Sequence, residues 1–141
     1  MSSISEPAAR AGGCLCGAVR YLVDQPLADV AICHCSHCRK QSGALFSANI
    51  VVTEDHYRQT GEVKVFEDRG DSGEVVFRHF CPNCGSPILS RISALPSAVI
   101  IKSGTLDDLS GLAPVVEVYT DRAVSWGPHG LADLRFPEAA P

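Results

Sequence analysis

Seven cysteines in a chain of 141 residues fall into three tight groups. Cys14 and Cys16 form a C-x-C pair, Cys33, Cys35 and Cys38 form C-x-C-x-x-C, and Cys81 and Cys84 form C-x-x-C. Thiolates at such spacings suit borderline-soft metals, zinc above all. A structural zinc site is closed by four protein ligands, whereas a catalytic one keeps three and leaves a position open. The two flanking pairs therefore make one closed site, Cys14, Cys16, Cys81 and Cys84. The central triplet, Cys33, Cys35 and Cys38, makes one open, catalytic site, so two zinc ions per chain are expected. In a reducing compartment clustered cysteines bind metal rather than pair as disulfides, and the odd count points the same way.

The triplet stands in Cys33-His34-Cys35-Ser36-His37-Cys38-Arg39-Lys40. On an extended segment Cys33 and Cys35 point to one side and His34 to the other, and Cys38 returns on the first turn of a helix. Zinc with three thiolates carries a net negative charge, so it is a poorer Lewis acid than a three-histidine site and lowers the pKa of bound water less. It suits a soft fourth ligand, and a small thiol, deprotonated on coordination, is the natural choice. Arg39, Lys40 and, through the fold, Arg78 are the cations expected to offset the added charge. Two alternatives stay open. Either histidine could supply a fourth ligand and close the site, or His34 and His37 could stand beside it or on the surface. His79, next to the C-x-x-C pair, is a weaker acid–base candidate.

These residues must be placed by short strands and turns. Val19, Tyr21 and Val23 alternate with Arg20 and Leu22, which suits a half-buried strand. Further strands are expected over 46–53, 63–67, 75–80, 88–91, 98–103 and 115–119, with 69–73 as the loop of a hairpin. One short helix is expected over 36–41, capped by Ser36 and ended by Gly43, and a single turn over 105–109. Nine prolines and twelve glycines fit this mainly β design. One domain is expected over 12–137, between flexible ends at 1–11 and 138–141. Gly85 and Pro82 suit a tight metal knuckle, which would join the first strand to the middle of the sheet.

The formal net charge of -4 disfavours a nucleic-acid partner. No run reaches the length of a membrane span, and the first thirteen residues hold no apolar stretch of signal-peptide length, so a cytoplasmic protein is expected.

Three stretches together resemble one family: Gly13-Cys14-Leu15-Cys16-Gly17-Ala18-Val19-Arg20-Tyr21, Cys33 through Gly43, and Arg78-His79-Phe80-Cys81-Pro82-Asn83-Cys84-Gly85-Ser86-Pro87. They are similar to the glutathione-dependent formaldehyde-activating enzyme (centromere-protein-V) domain family, over about residues 12 to 127. Ser103-Gly104-Thr105-Leu106-Asp107-Asp108 fits the same pattern. The resemblance implies an Mss4-like fold of β-sheets braced by zinc. It implies a structural zinc on Cys14, Cys16, Cys81 and Cys84 and a labile, catalytic zinc on Cys33, Cys35 and Cys38. It implies a carbon–sulfur lyase or S-(hydroxymethyl)glutathione synthase acting on thiol–aldehyde adducts. Its partners would be a small thiol such as glutathione and an aldehyde such as formaldehyde, with a homodimer left open. Glutathione carries two carboxylates, for which Arg39, Lys40, Arg78 and Arg91 are candidates. Trp126 lies where the family often has a tryptophan and is expected to line the pocket. The competing reading is a non-catalytic zinc-braced module that binds a thiol or another protein.

Overall fold

The structure, a computed structural model, describes residues 9–128 and 130–140. Among these described residues eleven strands form two sheets, accompanied by one short α-helix. The smaller sheet holds β1 (Arg10–Gly13), β2 (Arg20–Val23) and β5 (Tyr57–Thr60), all antiparallel and in the order β1-β2-β5. The larger holds β3 (Asp29–Cys33), β4 (Ser47–Thr53), β6 (Lys64–Arg69), β7 (Val75–Phe80), β8 (Pro87–Ile92), β9 (Ala98–Lys102), β10 (Ala113–Val118) and β11 (Leu134–Arg135). Its order is β11-β10-β3-β4-β9-β8-β7-β6, and β10 runs parallel to both β3 and β11. Helix α1 (Ser36–Ser42) follows β3 directly.

Period-two alternation separates the two faces of the large sheet. Val30 and Ile32 of β3, Ile50 and Val52 of β4 and Val99 and Ile101 of β9 are buried, together with Val19, Tyr21 and Val23 from the small sheet. Burying each such side chain contributes roughly 1.5–3 kcal/mol before the chain entropy is counted. The other face of the same strands carries Cys33, Asn49, Ile100, Lys102, Ser90 and Arg78, which line an open cleft. One face makes the core, and the other is free for chemistry.

The expected mainly β class and most strands are found, with ends shifted by one or two residues. Four strands were not anticipated: β1, β3, β5 and β11. β3 reads Asp-Val-Ala-Ile-Cys, and its apolar alternation is masked by the cysteine that belongs to the metal motif. The cap of α1 is Cys35 rather than Ser36. The Cys35 sulfur accepts the Cys38 N–H at 3.3 Å, so a thiol takes the place usually held by a hydroxyl. Gly43, at φ 73°, ends the helix as expected. The turn expected over 105–109 lies earlier, at Ser103–Thr105. Of the end expected to be loose at 1–11, residues 1–8 lie outside the described residues, and β1 begins at Arg10. At the other end Tyr119 N–H donates to the Glu138 carbonyl at 3.0 Å, and Ala139 and Ala140 line the cleft.

Candidate metal centres

Cys14 and Cys16 sit in the turn between β1 and β2, and Cys81 and Cys84 in the turn between β7 and β8. One ligand atom from each lies within 4.8 Å of all the others. The Cys14 and Cys16 sulfurs are 3.6 Å apart, and Cys16 and Cys81 are 3.8 Å apart. Four sulfurs about 2.3 Å from a tetrahedral ion stand about 3.8 Å from each other, so the set fits zinc without rearrangement. Backbone donors prepare the sulfurs for negative charge. Val19 N–H donates to Cys14 at 3.2 Å, and Asn83 and Cys84 N–H donate to Cys81 at 3.4 and 3.5 Å. The Ser86 hydroxyl, 3.3 Å from the Cys84 sulfur, leads the contacts that bring that thiol down to about 5. Gly17 and Gly85 close the two turns at φ 82° and 81°, a left-handed conformation that a side chain would strain. The clasp joins a turn of the small sheet to a turn of the large one.

The triplet is local. Cys33 ends β3, Cys35 caps α1 and Cys38 lies in its first turn, with the three sulfurs within 4.8 Å of one another. No fourth cysteine, histidine or carboxylate joins them among the described residues. The Cys38 thiol is held well below its ordinary value, first by the Cys33 and Cys35 sulfurs, then by the Ser47 hydroxyl and the Lys102 charge. Cys33 is pushed up by the same sulfur contacts and by burial. The three sulfurs thus act on one another as a group and favour negative charge within it, which suits a donor set for a soft cation. All three cysteines line a cleft of about 500 Å³, so a metal held here would face open space.

His34 is no ligand. The alternation of the strand turns it away, and it is 1% exposed, with Nε2 2.8 Å from Glu117 Oε1 and its ring edge on Phe46. Glu117, fully buried, also accepts the Ala132 N–H at 3.0 Å. Burial is the largest single influence and pushes its carboxyl up, but the contacts with His34 and with backbone N–H groups together hold it below its ordinary value. The pair therefore fastens β3 to β10 and the C-terminal segment behind the triplet. His37 lies at the cleft mouth, with Nδ1 2.9 Å from Asp68 and Nε2 3.4 Å from Asp71. Both ring nitrogens face carboxylates, so it stands beside the site rather than in the donor set. His79 points to the opposite face of β7 from Arg78 and does not line the cleft.

The expected ligand-binding residues are brought together only in part. Arg78 is 4% exposed and lines the cleft, but its charge is matched by Asp68 at 2.9 Å. Arg39 lines neither hollow, because one step along a helix turns a side chain about 100° from Cys38. Lys40 lines a second hollow of about 430 Å³, which shares His37 and Arg78 with the cleft but is lined by none of the three cysteines. Arg91 pairs with Glu54 at 3.0 Å outside the cleft. Trp126 is 78% exposed and lines neither hollow; the tight turn from Val124 O to Gly127 N projects it outward.

The sequence reading missed Lys102, Asn49, Ser90 and Tyr119. Lys102 donates to Asn49 Oδ1 at 3.1 Å, and Asn49 Nδ2 donates to Ser47 at 2.9 Å. A lysine on the Ile100 face of an apolar strand was a readable signal. Tyr119 was less so. Its backbone is left-handed at φ 54°, rare for a non-glycine, and it enters the cleft wall from beyond β10.

The family model for the glutathione-dependent formaldehyde-activating enzyme matches residues 9–122. No curated protein matches the chain. A crystal structure of a Rhodobacter sphaeroides protein is similar at 18% identity, covering 89% of this chain and 98% of that one with a TM-score of 0.58, a likeness of fold. No helix among the described residues is long and apolar enough to cross a membrane. With both cysteine clusters assembled as metal donor sets and the family pattern spanning most of its length, this chain belongs to the glutathione-dependent formaldehyde-activating enzyme family.

Proposed function

We propose that the protein is a carbon–sulfur lyase or S-(hydroxymethyl)glutathione synthase-like enzyme, joining or parting a small thiol and an aldehyde, with zinc as its metal. Glutathione and formaldehyde are the substrates that the family name suggests. The observation that carries the reading is the contrast in coordination. Four sulfurs close on one point, whereas three converge on another that opens into a cleft large enough for a peptide-sized thiol.

Cys33, Cys35 and Cys38 would hold the catalytic ion and Cys14, Cys16, Cys81 and Cys84 the structural one. When bound, zinc at the triplet supplies a fourth position at which a thiol loses its proton at neutral pH. The chain's own residues do the rest. Ser47 and Lys102 hold negative charge on the Cys38 side of the triplet. Ile92, Ile100 and Leu95 give the cleft apolar walls that exclude water from the reacting sulfur. In the net reaction a C–S bond forms to the carbonyl carbon, and the thiol proton ends on the former carbonyl oxygen; cleavage is the reverse. Such a thiol substrate is at hand in a reducing cytoplasm, where we place the protein.

The test compares initial rates of adduct formation from glutathione and formaldehyde with and without zinc-loaded protein, because the spontaneous reaction is real. A rate above background that disappears in Cys35→Ser supports the enzyme. Calorimetric glutathione binding with no rate enhancement would make the protein a thiol carrier instead.

A further inference from the structure

Lys102 is a buried cation that the fold leaves without a carboxylate among the described residues, the triplet sulfurs being the negative groups near it. It is 8% exposed, lines the cleft beside the triplet, and has a neutral amide, Asn49 Oδ1, as its hydrogen-bond partner. Among the described residues no carboxylate forms an ion pair with it, whereas the other buried cation in this wall, Arg78, is matched by Asp68. Between the two lies Ser90, 4% exposed, whose hydroxyl oxygen is buried with no hydrogen-bond partner. Ser90 is directly across from Arg78 on β7 and from Ile100 on β9, two residues from Lys102 on the same face. A buried ammonium and a buried hydroxyl left short of partners cost stability, and such costs are retained where a ligand removes them.

We propose that Lys102 is a specificity-determining residue that receives a carboxylate carried by the thiol ligand, several bonds from its sulfur. The inference rests on the reading that the ligand's sulfur sits at the triplet. Lys102 Nζ reaches back over β4 to Asn49 Oδ1, whereas Ser90 stands on the third strand from that of Cys33, and strands repeat at about 4.8 Å. The adduct oxygen is bonded to the carbon next to sulfur and stays close to the triplet, short of Ser90, while a carboxylate farther along the ligand offers one oxygen to the Lys102 ammonium and a second towards the Ser90 hydroxyl. Neighbouring apolar residues, Ile92 and Ile100, remove water from the contact and so strengthen it.

The test measures binding to the zinc-loaded protein by calorimetry for 3-mercaptopropionate and glutathione, each against its methyl ester. The free acids should bind at least about tenfold more tightly than the esters, the magnitude of a charge-assisted hydrogen bond. In Lys102→Met, with zinc content and melting temperature checked, that ratio should fall towards unity. Equal affinity of acid and ester in the unaltered protein overturns the proposal without needing any variant, and leaves the thiol reading standing. An unchanged ratio in Lys102→Met overturns it too. Equal weakening of acids and esters would make Lys102 a plain counter-charge for the thiolates and also sinks the proposal. Failure of every thiol to bind removes the thiol reading itself and this inference with it.

Discussion

The two cysteine clusters use one chemistry in opposite settings. The clasp of Cys14, Cys16, Cys81 and Cys84 draws ligands from two turns far apart in sequence, one from each sheet, and backbone N–H groups from Val19, Asn83 and Cys84 converge on its sulfurs. The triplet comes from one continuous segment, faces a cleft of about 500 Å³ and is backed by Lys102 and Ser47. What separates a closed cluster from an open one is therefore not the donor atom. It is how many donors converge, how much chain their convergence ties together, and whether solvent-filled space remains on the open side.

The comparison breaks most sharply at Cys81. Cys81→Ser removes a ligand that is fully buried between the sheets, and structural zinc contributes on the order of 10 kcal/mol to folding. Insoluble or molten protein is expected; a soluble variant with its full zinc content would remove the distinction between the clusters. Cys35→Ser is expected to do the reverse. The fold should persist with a melting temperature near that of the parent, while the protein loses about half its zinc and all thiol–aldehyde activity. Zinc analysis and circular dichroism on the same sample check it, and collapse of the fold would make the triplet a brace too.

A smaller effect sharpens the role of the support behind the triplet. Glu117→Ala leaves His34 and the Ala132 N–H buried without their partner, and breaking a buried pair costs roughly 3–5 kcal/mol. Urea titration should show that loss, with the clasp zinc retained. Gly85→Ala, at φ 81° with open space around its Cβ, should cost only about 1–2 kcal/mol through backbone strain. A melting temperature equal to the parent's would show that the knuckle does not need the left-handed turn. Trp126→Ala should change stability by no more than about 0.5 kcal/mol and leave thiol affinity unaltered, as for an exposed side chain outside both hollows. A marked loss of affinity would return Trp126 to the ligand site.

Much of the site was legible because metal ligation is written in local spacing. C-x-C, C-x-x-C and the triplet each fix short-range geometry, and four-against-three separates closed from open coordination. Strand 46–53 was legible from its β-branched run Ile50-Val51-Val52, and strand 75–80 from the glycine-bearing loop 69–73 that precedes it. β3 was hidden by residues shared with the metal motif, and β11, at two residues, carries no period at all. A cation that lines the cleft, Lys102, was hidden for a related reason. Arg39 and Lys40 are neighbours of Cys38 in sequence, but a helix turns successive side chains apart, whereas Lys102 reaches the cleft from a distant strand.

The sequence by itself determined the division of cysteines into four and three and the mainly β class, because ligand spacing and side-chain periodicity act over a few residues. Only the tertiary structure decided that His34 is a buried strut, that Trp126 stands in solvent, and that Lys102 lies beside the triplet with no carboxylate partner among the described residues. Those outcomes depend on which strands become neighbours and which face each turns to the core, and pairing over such distances is set by the packing of the whole chain.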